Sequence, residues 1–311
     1  MNSVSDAVRA PRVNLPPFKA PRGAFAAARL LQRLWSDERK RSVAAAPRNP
    51  KPALWGDTGL YAAWLGHSTV LLKIDGVTIL TDPVFSRRIG LNFGPLTIGF
   101  KRLVEPALRL KETPQPDLIL LSHAHMDHFD LPSLRALESR TTRVVTASKT
   151  SDLLRTRRYG GVDELGWGET ARIGDISVRA FEVNHWGARM RSDTYRGFNG
   201  YVIETPRYRV LFGGDTALTT TFRALHSSRR LDLAIMPIGA YNPWIRAHCT
   251  PEQALKMADD AGAERILPVH HQTFQLSSEP LYEPIERLRA ALAGAPERLV
   301  LQEIGQEMHS S

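Results

Sequence analysis

The sequence predicts an α+β fold in which β-sheets pack face to face with helices outside. Three observations point there. From Leu54 onward the chain breaks into short apolar runs of strand length, helical segments follow groups of these runs, and several runs stop at a histidine or an aspartate. With 311 residues, 42% of them hydrophobic, the chain is long enough to bury a full core.

The first 52 residues read differently from the rest. They hold eleven Lys and Arg against three Asp and Glu, whereas residues 53–311 are close to charge balance. The formal net charge of +9 therefore belongs to a leader, which argues against a nucleic-acid partner for the body. Met1–Gly23, with Pro11, Pro16, Pro17 and Pro21, reads as an extended arm. Ala24–Ser42 reads as an amphipathic helix, with Phe25, Leu31, Leu34 and Trp35 on one side and Arg29 and Arg33 on the other. That helix has two readings: docking on the main domain, or resting on anionic lipid. Three prolines in Ala45–Pro52 then separate the leader from a single domain over residues 53–311. No apolar run approaches the ~18–20 residues of a membrane span, and no signal-peptide core opens the chain. One cysteine, Cys249, excludes an intrachain disulfide framework. A cytoplasmic location is expected, peripheral to the inner face of the membrane if the leader lies on lipid.

Within the body, Tyr61–Leu65, Thr69–Ile74 and Val77–Thr81 form an expected meander, turned by Asp75-Gly76. Further strands are predicted at Leu118–Ser122, Arg143–Thr146, Ile176–Val183, Phe198–Glu204, Arg209–Phe212, Leu233–Pro237 and Ile266–Val269. Helices are predicted near Leu131–Ser139, Leu218–Ser227, Pro251–Ala261 and Leu281–Ala293. The third has clear punctuation: Thr250 as N-cap, Pro251 first inside, Gln253 closing a capping box and Gly262 as the stop.

The decisive stretch runs from Leu118 to Asp130. A buried strand ends in His123, His125, Asp127 and His128, a density of ligand-type residues foreign to a chain with ten histidines. Imidazoles and carboxylates bind borderline divalent cations. His123 and His125, two apart on extended backbone, leave on the same side and can reach one ion, while Asp127 and His128 face a second position. Three distant residues share the arrangement of an apolar strand followed by a ligand: His185, Asp215 after two glycines, and His270. A carboxylate such as Asp215 can bridge two cations.

These motifs resemble the metallo-β-lactamase superfamily, and within it the branch of N-acyl-phosphatidylethanolamine-hydrolysing phospholipase D. The matching text is Trp64-Leu-Gly-His-Ser-Thr-Val, Leu80-Thr-Asp-Pro-Val-Phe-Ser, His185-Trp186, Phe212-Gly-Gly-Asp-Thr216, Ile238-Gly-Ala-Tyr241 and Val269-His-His-Gln-Thr-Phe274. The ascorbate-6-phosphate lactonase branch is a more distant likeness. The resemblance implies an αββα sandwich of two mixed sheets flanked by helices. It implies two divalent cations, zinc in the first place, with manganese and iron(II) equally suited to the ligands. His123, His125 and His185 would hold the first ion, Asp127, His128 and His270 the second, with Asp215 bridging and Asp82 bracing the loop from behind. The branch usually has His-Trp-Gly-Thr-Phe where this chain has His270-His271-Gln272-Thr273-Phe274, which leaves His271 as a competing ligand.

Two cations sharing one solvent molecule would present hydroxide near neutral pH, with Asp127 placed to orient it. The resemblance implies hydrolysis of a phosphodiester, a small molecule or an N-acyl phospholipid. Lactone or other carboxyl-ester hydrolysis is the alternative, followed by RNA processing and by a non-catalytic metal-binding sensor. His67, His248, His271, Trp186, Arg189 and Tyr241 are candidates for lining the cleft, with Arg189 suited to a substrate phosphate. For His67 and His248 a purely structural hydrogen-bonding role competes with substrate contact. Trp186, Tyr241 and Trp244 are either core or the apolar wall of a pocket.

Overall fold

A computed structural model describes residues 42–93 and 96–310. The arm and the helix predicted over Ala24–Ser42, Ser42 excepted, lie outside them. The fold is α+β, built on two mixed sheets. In the first, β1 (Leu60–Gly66), β2 (Thr69–Ile74) and β3 (Val77–Thr81) form the expected antiparallel meander. Strands β6 (Leu118–Leu121), β7 (Arg143–Ala147) and β8 (Gly161–Leu165) follow in parallel from β3, and β15 (Glu307–Ser310) closes the other edge against β1. The second sheet runs in the order β14-β13-β12-β11-β10-β9. There β9 (Thr170–Ile173), β10 (Ile176–Phe181), β11 (Gly200–Glu204) and β12 (Arg209–Phe212) are antiparallel, and β13 (Leu233–Pro237) and β14 (Ile266–Val269) continue in parallel.

Alternation along the strands builds two apolar layers. Leu72, Leu120, Val145, Val178, Tyr201, Phe212, Ile235 and Leu267 belong to one buried cluster drawn from both sheets. The opposite residues of the second sheet, such as Val202, Leu211, Ala234 and Met236, pack with two helices. Those helices are α2 (Pro251–Asp260) and α3 (Glu283–Ala291), whereas α1 (Leu131–Ala136) follows the first metal-type motif. Thr250 caps α2 as predicted: its side chain accepts from the Gln253 N–H and Gln253 reaches back to the Thr250 backbone.

Some elements differ from expectation. The helix predicted at Leu218–Ser227 is a 3-10 helix over Thr221–Leu225. Threonines 219 and 221 turn their hydroxyls on each other, and Thr221 also bonds the Glu182 carbonyl, offering the backbone a rival to α-helix. An unforeseen hairpin joins β4 (Arg88–Phe93) to β5 (Leu96–Lys101). Its glycines hid it: Gly90 faces Gly99, and a Cβ on Gly90 would stand 2.2 Å from the Ile98 carbonyl oxygen. The short strands β8, β9 and β15 were also unforeseen.

Residues 42–52 are bonded to the body. Ala44 exchanges backbone hydrogen bonds with Leu103 and Glu105, Arg48 N–H donates to the Ile304 carbonyl, and the Arg48 guanidinium pairs with Glu303. Among the described residues no helix is long and apolar enough to cross a membrane.

Replacing Thr250 with Ala removes the acceptor for the Gln253 N–H and is expected to cost about 1 kcal/mol. A lowered denaturant midpoint at unchanged slope would show it.

Candidate metal centre

Strand direction assembles the site. Strands β1, β3, β6, β10, β12 and β14 all point to one edge of the sandwich, and their C-terminal ends or following loops deliver His67, Asp82, His123, His185, Asp215 and His270. The two sheets are tied together there. His270 N–H donates to the His67 carbonyl, Asn199 N–H to the Ser122 carbonyl, and the Tyr201 hydroxyl to the Leu121 carbonyl.

The histidines and carboxylates fall into two adjoining sets. His123, His125 and His185 form one, with His123 Nε2 2.8 Å and His185 Nε2 3.3 Å from His125 Nδ1. His67, Asp127, His128 and His270 form the other, with His128 Nε2 3.5 Å and His270 Nε2 3.4 Å from Asp127 Oδ2. Asp215 Oδ2 stands between them, 3.1 Å from His128 Nε2, 3.2 Å from His270 Nε2 and 3.8 Å from His185 Nε2. Donors ~2.1 Å from a tetrahedral ion stand ~3.4 Å apart, so these spacings fit a cation in each set.

Unsatisfied atoms make the same point. His128 Nε2, His270 Nε2 and Asp215 Oδ1 are buried without a hydrogen bond, an arrangement that costs free energy unless a ligand completes it. Burial holds His123, His125, His185 and His248 below the ordinary imidazole range, His125 and His248 at about 4, so they stand neutral, the ligating form. Burial also opposes charge on His128 and His270, but Asp215 and Asp127 prevail and raise both, His270 to about 9. The two carboxylates thus demand positive charge at this point.

Residues behind the sets fix the tautomers. His185 Nδ1 donates to the Ala247 carbonyl at 2.8 Å, leaving Nε2 bare. His128 Nδ1 lies 2.6 Å from Asp82 Oδ2. Ser122 Oγ donates to Asp82 at 2.6 Å and lies 2.8 Å from His123 Nδ1, so Asp82 orients His123 through the serine and His128 directly. Backbone strain is concentrated here. His67, Asp82 and His270 have φ of 50°, 31° and 63°, in the left-handed region that side chains rarely adopt. Gly214, at φ 57°, approaches so closely that a Cβ would meet Ser122 and the Asn199 carbonyl inside 3.0 Å.

The remaining sequence candidates find distinct places. His67 is buried with Nε2 3.1 Å from Asp127 Oδ2, and its backbone N–H is held by Thr273 Oγ1 at 2.6 Å. His248 stands beside the junction, Nδ1 3.7 Å from Asp215 Oδ2. Trp186 stacks on His185 and meets His125 edge-on, forming a wall of the first set. His271 is stacked on Trp64 and falls in neither set. Arg189, expected to face a phosphate, donates Nη1 to the Ala124 and Phe129 carbonyls and braces the loop that carries His125 to His128. Tyr241 bonds Glu283 at 2.7 Å under the Arg287 guanidinium, tied to α3 rather than to either set. Trp244 is exposed and Cys249 buried. Sequence reading missed the Ser122 relay and the Thr273 anchor. The Ser-His step at the strand end was a signal for the first.

Comparison with known proteins agrees with this geometry. Residues 77–271 match the Beta-lactamase superfamily domain, and the chain belongs to that family. It is 35% identical over 243 residues to an uncharacterized protein of Mycobacterium tuberculosis, covering 75% of this chain and 64% of that relative. It is 31% identical to the mitochondrial N-acyl-phosphatidylethanolamine-hydrolyzing phospholipase D of Saccharomyces cerevisiae, covering 79% of this chain and 55% of the relative. To the Caenorhabditis elegans N-acyl-phosphatidylethanolamine-hydrolyzing phospholipase D 1 it is 28% identical, covering 75% and 70%. Among solved structures, the metallo hydrolase Igni18 of Ignicoccus hospitalis superposes with a TM-score of 0.61 at 19% identity, over 82% of this chain and 99% of its own. The match is one of fold.

An Asp82→Asn protein is expected to bind divalent cations 10–100-fold more weakly, read by titration against a competing chelator. A second expectation concerns the loop carrying Arg189. Arg196 donates to Asp193 at 2.6 Å and to both Asp152 oxygens at 2.5 and 3.0 Å. Arg196 lowers the Asp152 carboxyl; burial opposes charge on Asp193, but its hydrogen bonds from Arg196 and the Met190 N–H prevail and lower it too. Depressed carboxylates stabilise above their unfolded pKa of ~3.9 and lose that stabilisation as pH falls through the folded values. The stability gap between wild type and Asp193→Asn should therefore be widest near neutral pH and shrink as the pH drops below ~4.

Proposed function

We propose that this chain is a metal-dependent hydrolase with a binuclear centre, acting as a phosphodiesterase on a phospholipid or another diester. The observation that carries the reading is Asp215 Oδ2, within 4 Å of histidines from both sets. Similarity to the yeast and nematode proteins named as phospholipases D supports the substrate class.

In this reading His123, His125 and His185 hold one cation, Asp127, His128 and His270 the other, and Asp215 is shared. When bound, two such cations lower the pKa of a shared water towards ~7 and neutralise charge that develops on the substrate's oxygens. Zinc suits these donors, as do manganese and iron(II). Asp127, its side chain 17% exposed, keeps a carboxylate at the mouth of the site to orient the attacking water and take its proton. His67 steadies that carboxylate through Oδ2. His248 contributes a neutral imidazole with a free Nδ1 beside Asp215, placed to hydrogen-bond a substrate oxygen. Trp186 limits water on the first set's side.

The test sets an activated phosphodiester beside an activated lactone, with protein whose metal content has been assayed. Diester turnover should fall ~10²–10⁴-fold in Asp127→Asn at saturating metal. Lactone turnover without diester turnover would overturn the phosphodiesterase reading.

A further inference from the structure

The β4–β5 hairpin carries an apolar face that nothing among the described residues covers. Its register sets Ile89 opposite Phe100 and Leu91 opposite Ile98, so these four share one face. Ile89, at the base, is buried with Val84 and Phe274. Farther out, Leu91, Ile98 and Phe100 are 41%, 47% and 44% exposed. A contiguous run of large exposed apolar side chains marks a surface that is used.

Charge says what covers it. From Pro83 to Val104 the chain has no acidic residue and four basic ones. Arg102 is buried and holds the carbonyls of Ser86 and Val84. Arg87 is exposed, and Arg88 stands directly across the ladder from Lys101. Like charges in that register repel, and an anionic surface turns the repulsion into attraction. Apolar side chains backed by cations match a bilayer of anionic phospholipid, apolar below and negative at its surface.

Position agrees. The hairpin starts six residues after Asp82, and Arg102 at its end bridges to Phe274, whose ring meets His67 edge-on at 5.3 Å. The loops beside the metal-type residues are exposed and apolar too: Met190 follows His185, Leu218 follows Asp215, and Trp244 and Ile245 precede His248.

We propose that the β4–β5 hairpin docks this protein on anionic phospholipid, Leu91, Ile98 and Phe100 entering the interface while Arg87, Arg88 and Lys101 meet lipid phosphates. The inference concerns where the protein sits and stands whether or not its substrate is a lipid. Its test therefore needs no lipid turnover.

The full chain would be sedimented with vesicles of phosphatidylcholine alone and of phosphatidylcholine with phosphatidylglycerol, beside a Leu91→Ser/Ile98→Ser/Phe100→Ser triple variant and Arg87→Glu. Wild type should bind the anionic vesicles. The triple variant should bind at least tenfold more weakly, with metal content and turnover of a soluble substrate within twofold of wild type. Arg87→Glu, which leaves the apolar face intact, should lose at least fivefold on anionic vesicles and little on neutral ones. Undiminished binding by a correctly folded triple variant would overturn the proposal and assign lipid contact to another segment. A wild type that ignores vesicles, or one whose dimer is broken by the triple substitution, would overturn it in favour of an interface between proteins.

Discussion

The arrangement of the centre depends on one buried carboxylate. Asp82, at the end of β3, accepts from the Ser122 N–H and Oγ and from His128 Nδ1. Its own backbone N–H donates to the Leu120 carbonyl on the neighbouring strand. A charged oxygen with no access to water must be fully satisfied by donors, and here the donors are the strand end and the loop that carry the metal-type residues. Meeting that requirement fixes where His123 and His128 point. The same residue holds a left-handed backbone angle, strain that the packing around it must offset.

What the sequence revealed, and what it hid, follows from the range of each interaction. His123, His125, Asp127 and His128 were legible because six residues of strand and turn place them together. His185, Asp215 and His270 were legible because each ends an apolar strand, and parallel strand direction gathers strand ends at one edge. Arg189 misled because spacing from His185 does not say which way a long side chain turns; the carbonyls of Ala124 and Phe129 decide that. The hairpin escaped because the Gly90–Gly99 pair that permits its close strands also erases strand propensity. Ser122 and Thr273 act through hydroxyls that no motif made conspicuous.

The sets are also unequal in environment. Around His123, His125 and His185, burial keeps the rings neutral and Trp186 closes one side. Around Asp127, His128 and His270, carboxylates dominate, and Asp127 retains the outlet to solvent. Two cations held by such different surroundings would differ in charge balance and in exchange with solvent, which gives the centre a direction from its sealed side to its open one.

The strand ends come from both sheets: His67, Asp82 and the His123–His128 loop from the first, His185, Asp215, His248 and His270 from the second. Neither half of the chain possesses a complete set of donors, because Asp215 must cross the seam to reach His128. Reactivity is thereby made conditional on assembly. A nascent chain whose first sheet alone has formed has no competent centre, and loosening of the seam in the finished protein would disarm it before either sheet unravels.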